Sequence, residues 1–151
     1  MLTKDIMITD VITISSNETV ESAAKKMLSH NIGCLPVVEG DSIKGIITES
    51  DFIGKRVEIP HGIGSIPELL GEWFQGVSVE SILTDVKDTT VDSVMSKNLI
   101  FVNPDTPLTE TVNIMMNQKK NRLPVIEEGK LKGIIARRDV LGAFDFLKKQ
   151  S

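Results

Sequence analysis

Residues that usually support catalysis, metal binding or disulfide bonding are scarce in this chain. Its 151 residues include one cysteine, Cys34, two histidines, His30 and His61, and 4% aromatic residues. One cysteine cannot form an internal disulfide, and two isolated histidines do not have the spacing of a zinc site. We therefore expect no metal centre, no catalytic cofactor and an aliphatic core.

Long apolar runs and clustered positive charge are also missing. No stretch of about 18 apolar residues occurs, and the first residues lack the basic and apolar regions of a signal peptide. The formal net charge is -4 and the isoelectric point is near 5.2, whereas nucleic-acid binding requires clustered positive charge. We therefore expect a cytoplasmic protein that binds neither membranes nor nucleic acid.

An internal duplication is the strongest signal in the sequence. Residues 11–51 align with residues 99–139 at a constant offset of 88, and 11 of the 41 aligned pairs are identical. Only about two or three identities would arise by chance. A unit of about 50 residues is near the lower limit for an adequate core of its own, so we expect the two copies to share one core.

The same order of elements is predicted in both copies: strand, helix, strand, strand, helix. In the first copy, polar caps at 17–19 precede apolar positions at helical spacing, and the helix should end near His30 to Gly33, because Gly33 is a natural C-terminal breaker. The last helix of this copy should begin at Ser50 or Asp51. The predicted strands lie at 12–14, 34–38 and 43–48 in the first copy and at 99–102, 122–126 and 131–136 in the second, whose helices are expected at 108–119 and 138–148.

Two further segments accompany these elements. A short helical turn ending in a methionine, Met7 or Met95, precedes each copy, and we expect it to pack against the copy that it precedes. Between the copies, Trp73 and Phe74 belong to a predicted apolar helix face. We interpret this face as a cover for the shared core, with a dimer or partner interface as the alternative.

The candidate chemistry lies where the last strand of each copy meets the next helix. Gly45-Ile-Ile-Thr-Glu-Ser-Asp51 recurs as Gly133-Ile-Ile-Ala-Arg-Arg-Asp139. The hydroxyl of Thr48, the carboxylate of Asp51 and the free helix amides would converge there. A carboxylate can accept hydrogen bonds from both hydroxyls of a ribose, and amides or cations can hold a phosphate. The pattern is therefore typical of a nucleoside-phosphate site without a metal.

Helix capping is the simpler explanation of each aspartate taken alone. Asp51 follows Thr48 and Ser50, which form a normal capping neighbourhood. The motif recurs, however, together with a second shared element, Leu-Pro-Val, at the same separation in both copies. This recurrence favours a common binding role over two unrelated caps.

Together these features resemble a tandem pair of cystathionine beta-synthase-type (CBS) domains, often called a Bateman module. The resemblance covers about residues 4–54 and 90–146 and rests on the duplication, on Gly33-Cys-Leu-Pro-Val and on the closing motif at Asp51. It implies an α/β (α+β) fold of two pseudo-symmetric β-α-β-β-α units, packed sheet to sheet and leaving two clefts. The corresponding division of the chain is repeat one at 1–55, a linker at 56–89 and repeat two at 90–151.

The resemblance also implies an adenosine-type ligand, which is AMP, ADP, ATP or S-adenosylmethionine in this family. By position, Asp51 would bind the ribose in the first site and Thr48 the ribose or a phosphate, while Asp139 would bind the ribose in the second site. The base would be surrounded by Ile12, Thr13, Ile32, Gly33, Cys34 and Ile46 in the first site, and by Ile100, Phe101, Lys120, Asn121, Arg122 and Ile134 in the second.

The second site departs from the family pattern. Ala136 replaces the hydroxyl residue Thr48, and Asn121 replaces Gly33. Phosphate contacts from the second copy could serve a nucleotide in either site, including one whose ribose is held by Asp51, and a solvated basic face is the alternative. The cations concerned, which the first copy lacks at the matched positions, are Lys119, Arg122, Arg137 and Arg138.

Three functions can be compared on this basis. The first is a regulatory module in which an adenosine ligand changes the packing of the repeats, and a protein on another chain or the homodimer responds. The second is a ligand-free dimerisation or scaffold module, which is consistent with the absence of a hydroxyl at Ala136. The third is an enzyme, for which neither a Ser/His/Asp set nor a Walker-type loop can be located. We predict the regulatory module and no enzymatic activity.

Overall fold

The strands of both repeats belong to one five-stranded sheet. The computed structural model describes residues 1–53, 84 and 87–150, so the linker face with Trp73 and Phe74 lies outside the described residues. The strand order is β1-β2-β3-β5-β4, and the β4–β5 ladder is antiparallel with an irregularity between Val125 and Ile126. The strands are β1 (Ile14–Ser15), β2 (Cys34–Glu39), β3 (Ser42–Thr48), β4 (Arg122–Glu127) and β5 (Lys130–Ala136).

The helices confirm the predicted positions, with differences at their ends. The last predicted helix begins as a 3-10 helix, Arg137–Leu141, before it continues as an α-helix, and α2 begins at Glu49, one residue earlier than predicted. A second 3-10 helix, Thr3–Asp5, lies near the start of the chain. The α-helices are α1 (Val20–His30), α2 (Glu49–Ile53), α3 (Val91–Val94), α4 (Leu108–Asn117) and α5 (Gly142–Gln150).

Both ends of α1 agree with the sequence prediction. The helix begins after Thr19, whose hydroxyl accepts the Ser22 N–H at 3.1 Å, as the predicted cap requires. Its last residue is His30, within the predicted range, and Asn31 takes the left-handed conformation at the C-cap with φ of 51°. Asparagine tolerates this conformation because its short polar side chain can bond locally. Gly33 is buried just before β2.

The first predicted strand of the second copy was wrong. Only Val102 pairs there, in an isolated parallel bridge with Val125. The next residues turn away from the sheet, because the Asn103 N–H donates to the Thr106 hydroxyl at 3.0 Å and the Thr106 N–H donates to the Asn103 carbonyl at 3.0 Å. This local turn ends the pairing after one residue.

The described contacts divide the chain into two compact units. The first consists of Met1–Ile12, Val38–Ile43 and Asn98–Ser151, and the second of Thr13–Val37 and Lys44–Lys97. The first unit contains a buried core, against which Ile6 and Met7 pack, and the shared core of the two copies stays a prediction. The buried residues of this core are Val102, Leu108, Met115, Leu123, Val125 and Ile135.

The short segments that precede the repeats form the predicted helical turns, but their predicted packing was wrong. The segment 1–8 pairs with the second repeat, where Ile8 and Ile134 exchange two backbone hydrogen bonds of 2.9 Å. The segment 89–96 pairs with the first repeat, where Ser96 and Ile46 exchange bonds of 2.9 and 3.0 Å. Each segment therefore packs against the repeat that it does not precede.

Gly133 and a threonine pair explain how the segment 1–8 packs, and Gly45 allows the same approach of the segment 89–96. A Cβ atom on Gly133 would lie 2.7 Å from the Ile8 carbonyl oxygen, and one on Gly45 would lie equally close to the Ser96 carbonyl oxygen. Only glycine permits so close an approach of two backbones. Thr3 is fully buried in the first unit and shares a 2.7 Å hydrogen bond with the buried Thr111 hydroxyl.

Candidate functional site

The first candidate site lies at the junction of β3 and α2. Asp51 is only 5% exposed, and its Oδ2 accepts the Thr48 N–H at 2.8 Å and the Thr48 hydroxyl at 3.2 Å. The Thr48 hydroxyl also shares a 2.8 Å hydrogen bond with the Ser50 hydroxyl. The carboxylate and hydroxyl that the motif predicts to be neighbours are therefore in direct contact, and the aspartate holds the turn into α2.

A second backbone segment is fixed beside this junction. The Glu49 N–H donates to the Gly33 carbonyl at 3.1 Å, which brings the start of α2 against the residues just before β2. Gly33 and Cys34 are buried there, and Ile32 and Ile46 are half-buried. These predicted base-contact residues thus lie in the same compact unit as Thr48 and Asp51.

The remaining predicted residues of the first site are placed differently. The carbonyl of Thr13 already accepts a hydrogen bond of 3.0 Å from Lys26 Nζ. Ile12 belongs to the other compact unit, so the described contacts do not place it with Asp51.

The second candidate site repeats this backbone frame at the offset of 88. Asp139 Oδ2 accepts the Ala136 N–H at 2.7 Å, and the Arg137 N–H donates to the Asn121 carbonyl at 3.0 Å. Asp139 is half-buried, whereas Asp51 is buried. Ala136 supplies no hydroxyl, so Asp139 lacks the side-chain contact that Thr48 gives to Asp51. Within the described residues, Asp139 Oδ1 makes no hydrogen bond.

Positive charge surrounds this second frame. Arg137 Nη2 donates to the Met115 carbonyl at 3.3 Å, and the same oxygen accepts the Lys120 N–H at 2.9 Å. The Arg137 guanidinium is therefore fixed beside the Lys120 backbone, at the end of α4. The sequence motif includes Arg137 but does not reveal this contact, because the partner is a backbone carbonyl 22 residues away.

The apolar residues predicted for the second site lie in the same unit. Ile100 and Ile134 are half-buried, and Phe101 is 51% exposed. Ile134 is also the residue that pairs with Ile8, so the segment 1–8 borders this site. This neighbour was not predicted from the sequence, although the matched methionines Met7 and Met95 indicated that the segments 1–8 and 89–96 correspond to each other.

Two further features concern the part of the chain that the structure describes. It contains no group of three or more His, Cys, Asp or Glu residues that could hold a metal ion. Its helices are all too short or too polar to cross a bilayer.

The family follows from comparison with known proteins. A family model described as the CBS domain matches the chain twice, at residues 4–58 and 91–145. The chain belongs to the CBS-domain family. Both matches fall on the duplicated repeats, so the predicted tandem CBS module and its mixed α+β fold are confirmed.

Relatives and solved structures agree with this assignment. CBS domain-containing protein YhcV of Bacillus subtilis is 32% identical over 137 residues, which is 91% of this chain and 81% of that protein. The CBS domain of a CBS domain containing membrane protein from Sphaerobacter thermophilus is 33% identical, with a TM-score of 0.69 and coverage of 93% of this chain and 86% of that chain. The CBS domain pair of protein MJ0100, solved in complex with methylthioadenosine and S-adenosylmethionine, is 26% identical, with a TM-score of 0.68 and coverage of 97% and 98%.

Proposed function

We propose that this CBS-domain pair is a regulatory module that binds an adenosine-containing ligand, which is AMP, ADP, ATP or S-adenosylmethionine. The bound ligand alters the packing of the repeats and so modulates a partner protein or a homodimer of the chain. The role is regulatory and not catalytic. The MJ0100 domain pair, which was solved with two adenosine compounds, supports this ligand class.

The observation that carries the proposal is the way in which Asp139 is held. Its Oδ2 is fixed by the Ala136 N–H, while its Oδ1 accepts no hydrogen bond within the described residues. A cap uses one oxygen, and an ionised carboxylate has about four acceptor positions. A carboxylate that the backbone orients in this way can accept hydrogen bonds from the hydroxyls of a ribose without losing its structural role. The matched clasp at Asp51 gives the first repeat the same orientation.

The first experiment measures binding by isothermal titration calorimetry with adenosine, AMP, ATP, methylthioadenosine and S-adenosylmethionine. Wild-type protein is compared with Asp51→Asn, Asp139→Asn and the double variant. Asparagine keeps an oxygen for the clasp and removes the charge that strengthens the hydrogen bonds to ribose. We expect at least one adenosine compound to bind with a dissociation constant below about 1 mM, and each single variant to weaken one site by about tenfold.

A matched control removes an aspartate elsewhere. Asp92 lies on α3 with an exposed side chain that forms a 3.4 Å salt bridge with Lys97, so Asp92→Asn should leave binding unchanged. If the wild-type protein binds none of the five compounds, the regulatory proposal is wrong. A dimer that persists under the same conditions would then favour the scaffold function.

A further inference from the structure

The two candidate sites share their backbone geometry but carry very different side-chain charges. Five positions around each site correspond at the offset of 88, and their formal charge is -1 in the first repeat and +5 in the second. The first repeat has Asn31, Ile32, Cys34, Glu49 and Ser50 at these positions, and the second has Lys119, Lys120, Arg122, Arg137 and Arg138.

These side chains project from matched backbone positions. Asn31 and Lys119 both take a left-handed conformation with φ of 51°, and each donates its N–H at 3.3 Å to the carbonyl three residues earlier. The Glu49 N–H donates to the carbonyl of Gly33, just before β2, and the Arg137 N–H donates to the carbonyl of Asn121, just before β4. The difference therefore lies in side-chain charge and not in the geometry of the frame.

The positive charge of the second site is not neutralised by neighbouring carboxylates. Its five cations form no salt bridge within the residues that the structure describes. The contact from Arg137 to the Met115 carbonyl fixes one guanidinium at the edge of this cluster. Like charges that are held together without a counter-ion repel one another, and an anionic ligand relieves that repulsion.

We propose that the two sites select adenosine ligands of different charge, an inference that rests on the proposed function. The site of repeat two binds a phosphorylated ligand, AMP, ADP or ATP, because lysine and arginine side chains form charge-assisted hydrogen bonds to phosphate. The site of repeat one binds an adenosine ligand without phosphate, such as methylthioadenosine or S-adenosylmethionine. Glu49 would repel a phosphate there and tolerates the sulfonium cation of S-adenosylmethionine.

The test exchanges charges between the repeats while it keeps the fold. The variant Lys119→Asn/Arg138→Ser gives repeat two the residues that repeat one has at Asn31 and Ser50. Asparagine accepts the left-handed conformation at this position, as Asn31 shows. The control Lys148→Asn/Lys149→Ser removes the same two charges from α5, and circular dichroism with thermal unfolding confirms that both variants are folded.

Calorimetry is then performed with AMP and S-adenosylmethionine as probes. We expect AMP binding to need Asp139 and to weaken about tenfold or more in Lys119→Asn/Arg138→Ser, but not in the control, since two cations near a phosphate are lost. S-adenosylmethionine binding should need Asp51 and change less than about twofold. Raising the salt concentration should weaken AMP binding more than S-adenosylmethionine binding.

Two results would overturn the division between the sites. If AMP and S-adenosylmethionine both lose affinity with the same aspartate variant, one site takes both ligands. If AMP needs Asp51 and is also weakened by the charge exchange, the cations of repeat two serve a phosphate bound to the other repeat. Both results leave the proposed function intact, whereas the absence of any binding to the wild-type protein removes both proposals.

Discussion

At the scale of single residues, Glu18 is the carboxylate with the clearest structural role outside the two sites. One of its oxygens accepts the Ser15 N–H at 2.9 Å and the other accepts the Ser22 hydroxyl at 2.9 Å, and Lys26 Nζ lies 3.7 Å from the side chain. The hydrogen bond from the Ser15 backbone, helped by Ser22 and Lys26, lowers the pKa of Glu18 below its ordinary value of 4.5. Its charged form therefore ties β1 to the start of α1.

This lowered pKa predicts a pH-dependent effect of Glu18→Gln. A carboxylate whose folded-state pKa is depressed stabilises the fold fully above its unfolded pKa, and the contribution is lost as pH falls through the folded pKa. Urea unfolding should show Glu18→Gln less stable than wild type at pH 7, with a difference that shrinks once the pH drops below about 4.5. Glu21→Gln is the control, because Glu21 is the second residue of α1 and its side chain is exposed. An equal loss at pH 7 and at pH 3 would contradict the role of the charge.

The residues of the candidate sites were predictable to different extents. Asp51 and Asp139 stood out because a short motif recurs, and the structure confirms that each is clasped by the backbone of its own turn. The end of α1 was predicted within the observed range, but the left-handed conformations of Asn31 and Lys119 were not, since glycine is the usual residue there. The contact of Arg137 with Met115 could not be predicted, because a backbone carbonyl leaves no signature in the side-chain pattern.

At the scale of elements, the packing of the segments 1–8 and 89–96 was not predicted from the sequence. The hydrophobic pattern predicted their helical turns, but periodicity does not say which of two similar surfaces a segment will contact. Gly45 and Gly133 indicate where these segments pack, because the Ser96 carbonyl approaches Gly45 and the Ile8 carbonyl approaches Gly133. An identical glycine pair in the duplicated strands is a signal for such an approach once the strands are known.

This close approach predicts a large effect of Gly133→Ala. The added methyl would lie 2.7 Å from the Ile8 carbonyl oxygen, so the segment 1–8 must shift. We expect a loss of about 1–3 kcal/mol in the free energy of unfolding, the usual range for overpacking. Chemical denaturation measures the loss, and faster amide exchange in residues 1–8 would locate it.

Gly142→Ala is the matched control for this effect. Gly142 has φ of -62°, and a Cβ there would meet no atom within 4 Å. Because alanine is the better helix former, this variant should be neutral or up to about 1 kcal/mol more stable. If Gly133→Ala is as stable as Gly142→Ala, the segment does not depend on the missing side chain.

At the scale of the whole molecule, the two repeats share backbone hydrogen bonds but differ in the charge and exposure of their side chains. Matched hydrogen bonds recur at the offset of 88, yet the compact units are not the two contiguous repeats, since residues 1–12 belong with the second. The boundaries at 1–55 and 90–151 therefore remain a description of sequence.

The exposed apolar side chains near the end of the chain predict self-association. Leu141, Phe144 and Leu147 are 66%, 69% and 56% exposed, and their spacing of three places them near one another at the end of the chain. Exposed apolar side chains that cluster in this way are typical of an interface, and a homodimer is the association that we expect. Phe144→Lys should therefore shift the sedimentation coefficient from that of a dimer towards that of a 16.6 kDa monomer.

The control for self-association is Leu28→Lys. Leu28 is 82% exposed but lies on α1, away in sequence from this cluster, so the variant should sediment as the wild type does. A dimer that forms through α5 also couples folding to association, so the wild-type unfolding midpoint should rise with protein concentration and that of Phe144→Lys should not. If both variants remain dimeric, the interface lies elsewhere, and the exposed face of α5 is then left for a regulated partner protein.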